Sequence, residues 1–204
     1  MRYGTNDLRG TFKVNDYGVC PVATAYADWS SMLVRAFSEE HKAKKICYSK
    51  VTCCEEWRLF SNFLKWFNNN GQSFEQVKDL DLDKDLLSLW GNLYSPSTCI
   101  YVPKELNSIL VMTTNSKDCL LGVYFDKESG KYRTQGKTTP YGVKIKSDRF
   151  TNELDAHHSY LVYKAGILMW ASESFDEIYK QPLTVAAEHL LSIVDSNGYF
   201  DFRN

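Results

Sequence analysis

Large apolar residues recur every three or four positions in two stretches of the first half of the chain. One stretch covers residues 23–43 and includes Trp29 and Leu33, and the other covers residues 55–69 and includes Trp57. This spacing places the apolar side chains on one face of an α-helix. We therefore predict two amphipathic helices, whose apolar faces form a core.

A different pattern follows in residues 72–103, where two short apolar runs flank a polar turn. The first run ends in the acidic sequence Leu82–Asp85, and Gly91-Asn92 lies in the turn. Proline is favoured in the first helical turn, where its missing N–H has no intrahelical partner, so Pro103 is well placed to begin a helix. We predict a strand, a turn, a second strand and a helix over residues 104–112.

Residues 113–117 are polar and form the predicted linker to a second unit. Beyond it, short apolar or alternating segments separated by turn signals predict strands, and helical spacing follows them. The predicted strands cover residues 121–125, 131–137 and 142–150, and the predicted helices cover 152–172 and 182–194. The order of elements predicts an α+β protein. Residues 1–113 would form a helical and strand–strand–helix unit, and residues 118–204 a unit of three antiparallel strands plus helices.

The bulk composition is that of a globular protein, with 204 residues, 44% of them hydrophobic and 24% charged. No apolar run approaches the roughly 18–20 residues that span a bilayer. The six cysteines form no C-x-x-C pair, a pattern that favours reduced thiols over a disulfide framework or a zinc ribbon. We expect a cytoplasmic protein.

Positive charge is concentrated in one segment, although the whole chain has a formal net charge of −1. Residues 117–149 contain eight basic and four acidic residues. Because side chains alternate along a strand, the basic residues of 131–137 and of 144–146 would share one face of a sheet, with Tyr132 on the other. The candidate DNA-binding residues are Lys131, Arg133, Lys137, Lys144 and Lys146. Arg133 could read a guanine edge and the lysines could contact phosphate; the alternative is an ordinary solvated sheet face.

Both halves of the chain resemble known proteins. Trp29–Arg35, Glu56–Phe63 and Leu82–Asn107 are similar to the HNH homing-endonuclease-like proteins of tailed phages, which have a ββα metal-binding unit. The part from Gly122 onward resembles the AP2-type DNA-binding module often fused to them. Its motif residues here are Gly122, Val123, Tyr124, Gly130, Lys131, Tyr132, Phe150, Ala156, His157 and Tyr160. The resemblance implies a metal-dependent endonuclease or nickase acting on double-stranded DNA, in the host cytoplasm if it is phage-encoded.

The HNH resemblance also implies a set of site residues. Asp83 at the strand end and Asn107 on the following helix would hold one divalent cation, Mg²⁺ or Mn²⁺, and Asn92 would brace the loop. The cation would stabilise the charge that develops on the phosphate. Lys84 occupies the position of the water-activating histidine.

Lys84 is a poor replacement for that histidine. The pKa of an unperturbed lysine is about 10.4, and the neighbouring Asp83 and Asp85 favour its charged form. Two readings stay open. Either Asp85 activates the water or acts as a second metal ligand, or the site has lost its chemistry. The second reading predicts an inactive protein that binds DNA, or that binds and inhibits a host protein such as a defence nuclease.

Overall fold

The computed structural model describes residues 3–11, 21–69, 79–112, 118–134 and 148–200. These residues form a mixed α+β protein, as predicted, with several helices and a three-stranded antiparallel sheet. The chain divides into two compact units, Met1–Lys104 and Glu105–Asn204. The predicted linker, residues 113–117, lies outside the described residues.

The first apolar stretch forms two helices, α1 (Pro21–Phe37) and α2 (Glu39–Lys44), so the prediction of one helix over residues 23–43 is wrong. The break lies at Ser38, whose backbone is extended and whose Oγ accepts a hydrogen bond from the His41 N–H at 3.2 Å. Serine is a favoured N-cap because its oxygen satisfies an N–H of the first turn. The capping preference of Ser38 therefore ends one helix and begins another, although the apolar spacing continues across this position.

The second apolar stretch begins with a 3₁₀ turn, Glu56–Arg58, and continues as α3 (Phe60–Asn69). Trp57 and Phe63 are fully buried, and they pack with Trp29 of α1 in the core of the first unit. The Trp29 Nε1–H donates a hydrogen bond to the Trp57 carbonyl oxygen at 2.6 Å. The predicted aromatic core is therefore confirmed.

Two pairs of short strands complete the first unit. The predicted strand–turn–strand is confirmed, because β2 (Leu80–Asp83) pairs antiparallel with β4 (Ile100–Pro103). The connection between them contains one helical turn and a further strand. This strand, β3 (Leu93–Tyr94), pairs in parallel with β1 (Thr52–Cys53). The helical turn is α4 (Asp85–Ser88).

The helix α5 (Lys104–Leu110) lies close to its predicted span, and all of it after Lys104 belongs to the second unit. The sheet of this unit has the strand order β5–β6–β7, from Val123–Asp126, Lys131–Thr134 and Arg149–Phe150. The helix α6 (Glu153–Ser174) follows the sheet and covers one of its faces. Its first turn is capped by Asn152, whose Oδ1 accepts a hydrogen bond from the Leu154 N–H at 2.9 Å.

The last helix, α7 (Glu177–Asp195), packs against α6. The prediction that it begins at Pro182 is wrong, because this proline lies inside the helix. Leu183 and Leu190 are fully buried, and their packing outweighs the low helix propensity of proline. None of the described helices is both long enough and apolar enough to cross a membrane.

The sequence-based boundary placed residues 104–112 in the first unit, whereas the structure groups Glu105 onward with the second. The reason is a buried side chain of α6. The Lys164 ammonium donates hydrogen bonds to the carbonyl oxygens of Ile109 and Val111, the latter at 3.1 Å. These bonds hold the end of α5 and the residue after it within the second unit.

Candidate functional site

Asp83, which the HNH resemblance assigns to the metal, is the last residue of β2 and is only 4% exposed. Its Oδ1 accepts hydrogen bonds from the backbone N–H groups of Asp85, at 3.0 Å, and Leu86, at 2.8 Å. The carboxylate thus satisfies two N–H groups at the start of α4, as an N-cap side chain does. Burial, together with the nearby Asp85 charge, raises the pKa of Asp83 to about 6.

Lys84 is buried, with 7% of its surface exposed. Its ammonium donates hydrogen bonds to the Asp85 carboxylate and, at 3.1 Å, to the Gly91 carbonyl oxygen. The Nζ also lies 6.0 Å from the centroid of the Tyr94 ring. These contacts tie the two ends of the β2–β3 connection together. The two residues considered for water activation, Lys84 and Asp85, are therefore paired with each other.

Asn92 braces the same loop through its main chain. Its carbonyl oxygen accepts a hydrogen bond from the Thr52 N–H at 2.7 Å, which joins the loop to β1. Asn107 lies on α5 in the second unit, whereas Asp83 lies in the first. Their joint ligation of one metal ion therefore stays a prediction. Within the described ranges, no group of three or more His, Cys, Asp or Glu side chains is arranged to hold a metal ion.

A polar network beside this loop was not predicted from the sequence. Asp28 and Arg35 lie two helical turns apart on α1, and this spacing is the signal that could have found them. The Tyr101 hydroxyl donates a hydrogen bond to Asp28 at 2.7 Å, and burial raises the pKa of Asp28. Burial lowers the pKa of Arg35, but interactions with Tyr94, Tyr48 and Asp28 together outweigh burial and raise that pKa. Tyr94 thus contacts both Arg35 and Lys84.

In the second unit, strand register places cations side by side. Arg133 on β6 is the register partner of Arg149 on β7 and of Tyr124 on β5, so all three share one face. Lys131 has the same parity as Arg133 and lies on that face too. Lys131 and Arg149 are exposed. Asp126 is the acidic member of the face.

Arg133 is held in place from two sides. Its Nη1 lies 3.3 Å from Asp126 Oδ2, and its Cζ lies 5.9 Å from the Tyr124 ring centroid. Asp126 is itself fixed, since its Oδ1 accepts the N–H groups of Glu128, at 3.1 Å, and Ser129, at 3.4 Å. Hydrogen bonding by Ser129 lowers the pKa of Asp126.

The opposite face of the sheet is apolar, as predicted for Tyr132. Tyr132 is the register partner of Phe125 and Phe150, and the Phe125 and Tyr132 rings meet edge to face at 5.1 Å. Val123 on this face is fully buried beside Ala156 of α6. This packing directs the cations of the other face toward solvent.

The Asp83–Asp85 loop and the basic sheet face therefore differ in what their charged side chains contact. Asp83, Lys84 and Asp85 satisfy groups inside their own loop, whereas Lys131 and Arg149 extend from an exposed sheet face. The other predicted members of that face, Lys137, Lys144 and Lys146, lie outside the described residues. Comparisons with models of known protein families, with curated protein sequences and with solved structures gave no match.

Proposed function

We propose that this protein binds double-stranded DNA through the exposed face of the β5–β6–β7 sheet. The observation that carries the proposal is the register of Arg133 beside Arg149, with Lys131 on the same face and the apolar residues on the other. Directly opposed residues of adjacent strands lie about 5 Å apart, so Arg133 and Arg149 bring two positive charges together, with Lys131 two residues along β6 and Asp126 opposite it. The proposal agrees with the resemblance of this unit to the AP2-type module.

The three cations suit different parts of a duplex. A short sheet fits the major groove, which is about 12 Å wide. The exposed Lys131 and Arg149 can neutralise phosphates. Arg133 is oriented by Asp126 and Tyr124, and a planar guanidinium held in this way can bond to O6 and N7 of one guanine. Its bond to Asp126 must then be shared or exchanged for the base.

Neutralising the exposed cations tests this surface. We expect Lys131→Gln combined with Arg149→Gln to weaken binding to a labelled duplex in fluorescence anisotropy. The slope of log K against log salt should fall by about 1.8, because each lost phosphate contact removes roughly 0.9. Glutamine avoids a carboxylate opposite Asp126, which would repel it. Arg133→Ala should instead reduce the preference for one sequence over another, by about 1–3 kcal/mol.

Lys44→Gln is the matched control, because Lys44 is an exposed α2 lysine outside the sheet. We expect it to leave the salt slope unchanged. A parent protein without duplex affinity at low salt, or equal slopes for the parent and the double variant, would exclude the sheet face as the DNA contact. A protein without duplex affinity would favour the host-protein partner that the sequence analysis left open.

A second candidate function is metal-dependent DNA cleavage of the HNH type, with Mg²⁺ or Mn²⁺. The observation that favours it is the order β2, β4, α5, with Asp83 at the end of the first strand and Asp85 after it. The bonds that Asp83 and Lys84 make within the loop favour the degenerate form of the site, in which the fold persists without the chemistry.

Supercoiled plasmid incubated with either metal tests cleavage. If the site is active, we expect Asp83→Asn to abolish nicking, because it removes the negative charge that binds the cation. Asparagine keeps an Oδ1 that can accept the two N–H groups at the start of α4, so the loop should persist. Asn107→Ala should abolish nicking as well.

Asp79→Asn is the control for this assay, since Asp79 is an exposed acid just before β2. It should cut like the parent. Nicking that survives in the Asp83→Asn protein would refute the site assignment. A parent that never cuts with either metal removes the nuclease function and leaves duplex binding as an independent proposal.

A further inference from the structure

A cleft of about 450 Å³ opens in the first unit between residues 3–11 and helix α1. Its volume lies within the roughly 300–1,000 Å³ that is usual for small-molecule sites. Apolar and polar groups both line it. The polar ones come from Asn6 and Arg9 on the N-terminal segment and from Ser30 on α1, and the aromatic ones include Tyr26 and Trp29 of α1.

Two aromatic rings form one wall of the cleft. The Tyr26 and Trp29 ring centroids are 5.6 Å apart, and Phe60 lies behind both, at 5.3 Å and 5.2 Å. Trp29 is buried, with only 3% of its surface exposed, and its N–H donates a hydrogen bond to the Trp57 carbonyl oxygen, so it supports the Tyr26 ring from the core side of the wall. Tyr26 is 41% exposed and therefore accessible to a ligand.

The facing wall is fixed by backbone hydrogen bonds. The Thr5 N–H donates to the Arg58 carbonyl oxygen at 2.8 Å, and the Thr5 carbonyl oxygen accepts the Phe60 N–H at 3.1 Å. A Cβ at Gly4 would lie only 2.8 Å from the Trp29 ring, so the segment passes directly against the aromatic wall. The cleft is thus formed before any ligand enters, which reduces the entropy lost on binding.

The polar side chains of the cleft are one cation and two neutral hydrogen-bonding groups. Arg9 is exposed, and the described part of the chain gives its guanidinium no ion-pair partner. Asn6 is oriented by the Leu8 N–H, which donates to its Oδ1 at 3.1 Å, and its amide NH₂ group is a donor. The Ser30 hydroxyl can donate or accept. The cleft therefore combines one cation, neutral hydrogen-bonding groups and aromatic faces.

We propose that this cleft binds a nucleotide, with the base against the Tyr26 ring and the phosphate at Arg9. A nucleotide joins a flat π system to an anion, and these two features match the exposed Tyr26 ring and the exposed Arg9 guanidinium. A purely apolar ligand would leave Arg9 unused, and a simple anion would leave the rings unused. Asn6 and Ser30 supply hydrogen bonds to the base or the sugar. The proposal does not depend on duplex binding by the sheet.

The same chemistry is offered by a free nucleotide and by one unit of a single strand. Calorimetric titration of the full chain with dAMP, deoxyadenosine and a single-stranded deoxyadenosine hexamer distinguishes them. We expect dAMP to bind more tightly than deoxyadenosine, because only dAMP carries the phosphate. Binding of the hexamer that is tighter than that of dAMP, and that weakens in the Arg9→Gln protein, identifies a single strand as the source, and similar affinities identify a free nucleotide.

Two variants locate the binding. We expect Tyr26→Ala to weaken dAMP about tenfold, the usual scale of one lost base–aromatic stack. Arg9→Gln should weaken dAMP toward the affinity of deoxyadenosine, while deoxyadenosine itself is unaffected. Arg9 is exposed and outside the core, so this variant remains informative even if Tyr26→Ala unfolds the first unit.

Two control variants remove an exposed tyrosine and an exposed cation that lie outside the cleft. Tyr199→Ala removes a tyrosine that is 56% exposed in the second unit, and Lys44→Gln removes an exposed cation of α2. Both should bind dAMP like the parent. The proposal is overturned if neither dAMP nor the hexamer binds at millimolar concentration, or if Arg9→Gln binds both dAMP and deoxyadenosine as the parent does. Loss of dAMP binding in the Lys131→Gln, Arg149→Gln double variant, with binding retained in the Arg9→Gln protein, would assign the nucleotide to the sheet instead.

Discussion

Replacing Gly122 with alanine is expected to destabilise the second unit by about 2–5 kcal/mol. The φ angle of Gly122 is +74°, a left-handed conformation that costs other L-residues roughly 1–2 kcal/mol. A Cβ at this position would also overlap three carbons of the Tyr160 ring. Tyr160 is buried on α6, so relief of the overlap must move packed atoms, at a typical cost of about 1–3 kcal/mol.

Gly130→Ala separates these two contributions. Gly130 has a similar φ of +64°, but a Cβ there would meet nothing within 4 Å. We expect Gly130→Ala to cost only the conformational part, about 1–2 kcal/mol in urea unfolding of the full chain. Equal losses in both variants would show that the Tyr160 ring yields without cost. In a Tyr160→Ala background, Gly122→Ala should cost only the conformational part, because the ring that the Cβ would meet is gone.

Local patterns in the sequence predicted the elements whose causes are local. The apolar spacing around Trp29 and Trp57 is enough to place helices, because it fixes which face is buried. The alternation of Lys131, Tyr132 and Arg133 is enough to separate a basic face from an apolar one. The break at Ser38 was also a local signal, and it was outweighed in the prediction by the longer apolar period.

The remaining features depend on contacts between distant residues. β1 and β3 pair through Thr52 and Leu93, and the sequence of neither segment indicates that the other is its partner strand. The length of α7 follows from packing on α6, which stabilises the turn before Pro182. The cleft beside α1 arises because residues 3–11 bond to the segment before α3. Neither the composition nor the apolar periodicity of the chain predicts these long-range contacts.

The acidic loop illustrates the same limit for a candidate site. The order of residues in Leu82–Asp85 suggests catalytic carboxylates, since it gives their types and spacing. Their hydrogen-bond partners decide what they do, and these partners are the N–H groups of α4 and the Gly91 carbonyl oxygen. Two of the three charged side chains are consequently buried, and each charge is satisfied within the loop.

Lys84→Met is therefore expected to destabilise the first unit by about 2–4 kcal/mol, whether or not the protein cuts DNA. The substitution keeps an unbranched side chain but removes the ammonium that bonds to Asp85 and Gly91. Removing one partner of a buried ion pair costs about 3–5 kcal/mol, and the partial exposure of Asp85 reduces that figure. Urea unfolding of the parent and the variant measures the difference.

Two further variants make this result specific. Adding Asp85→Asn to Lys84→Met should restore part of the stability, because no unpaired charge is then left beside the buried Asp83. Lys44→Met removes an exposed ion pair with Glu40 and should change stability by less than about 1 kcal/mol. If Lys84→Met is as stable as the parent but loses plasmid nicking, Lys84 has a chemical role and the structural interpretation fails. If stability falls while binding to duplex DNA is retained, Lys84 maintains the loop and the DNA contact lies elsewhere, as the sheet proposal requires.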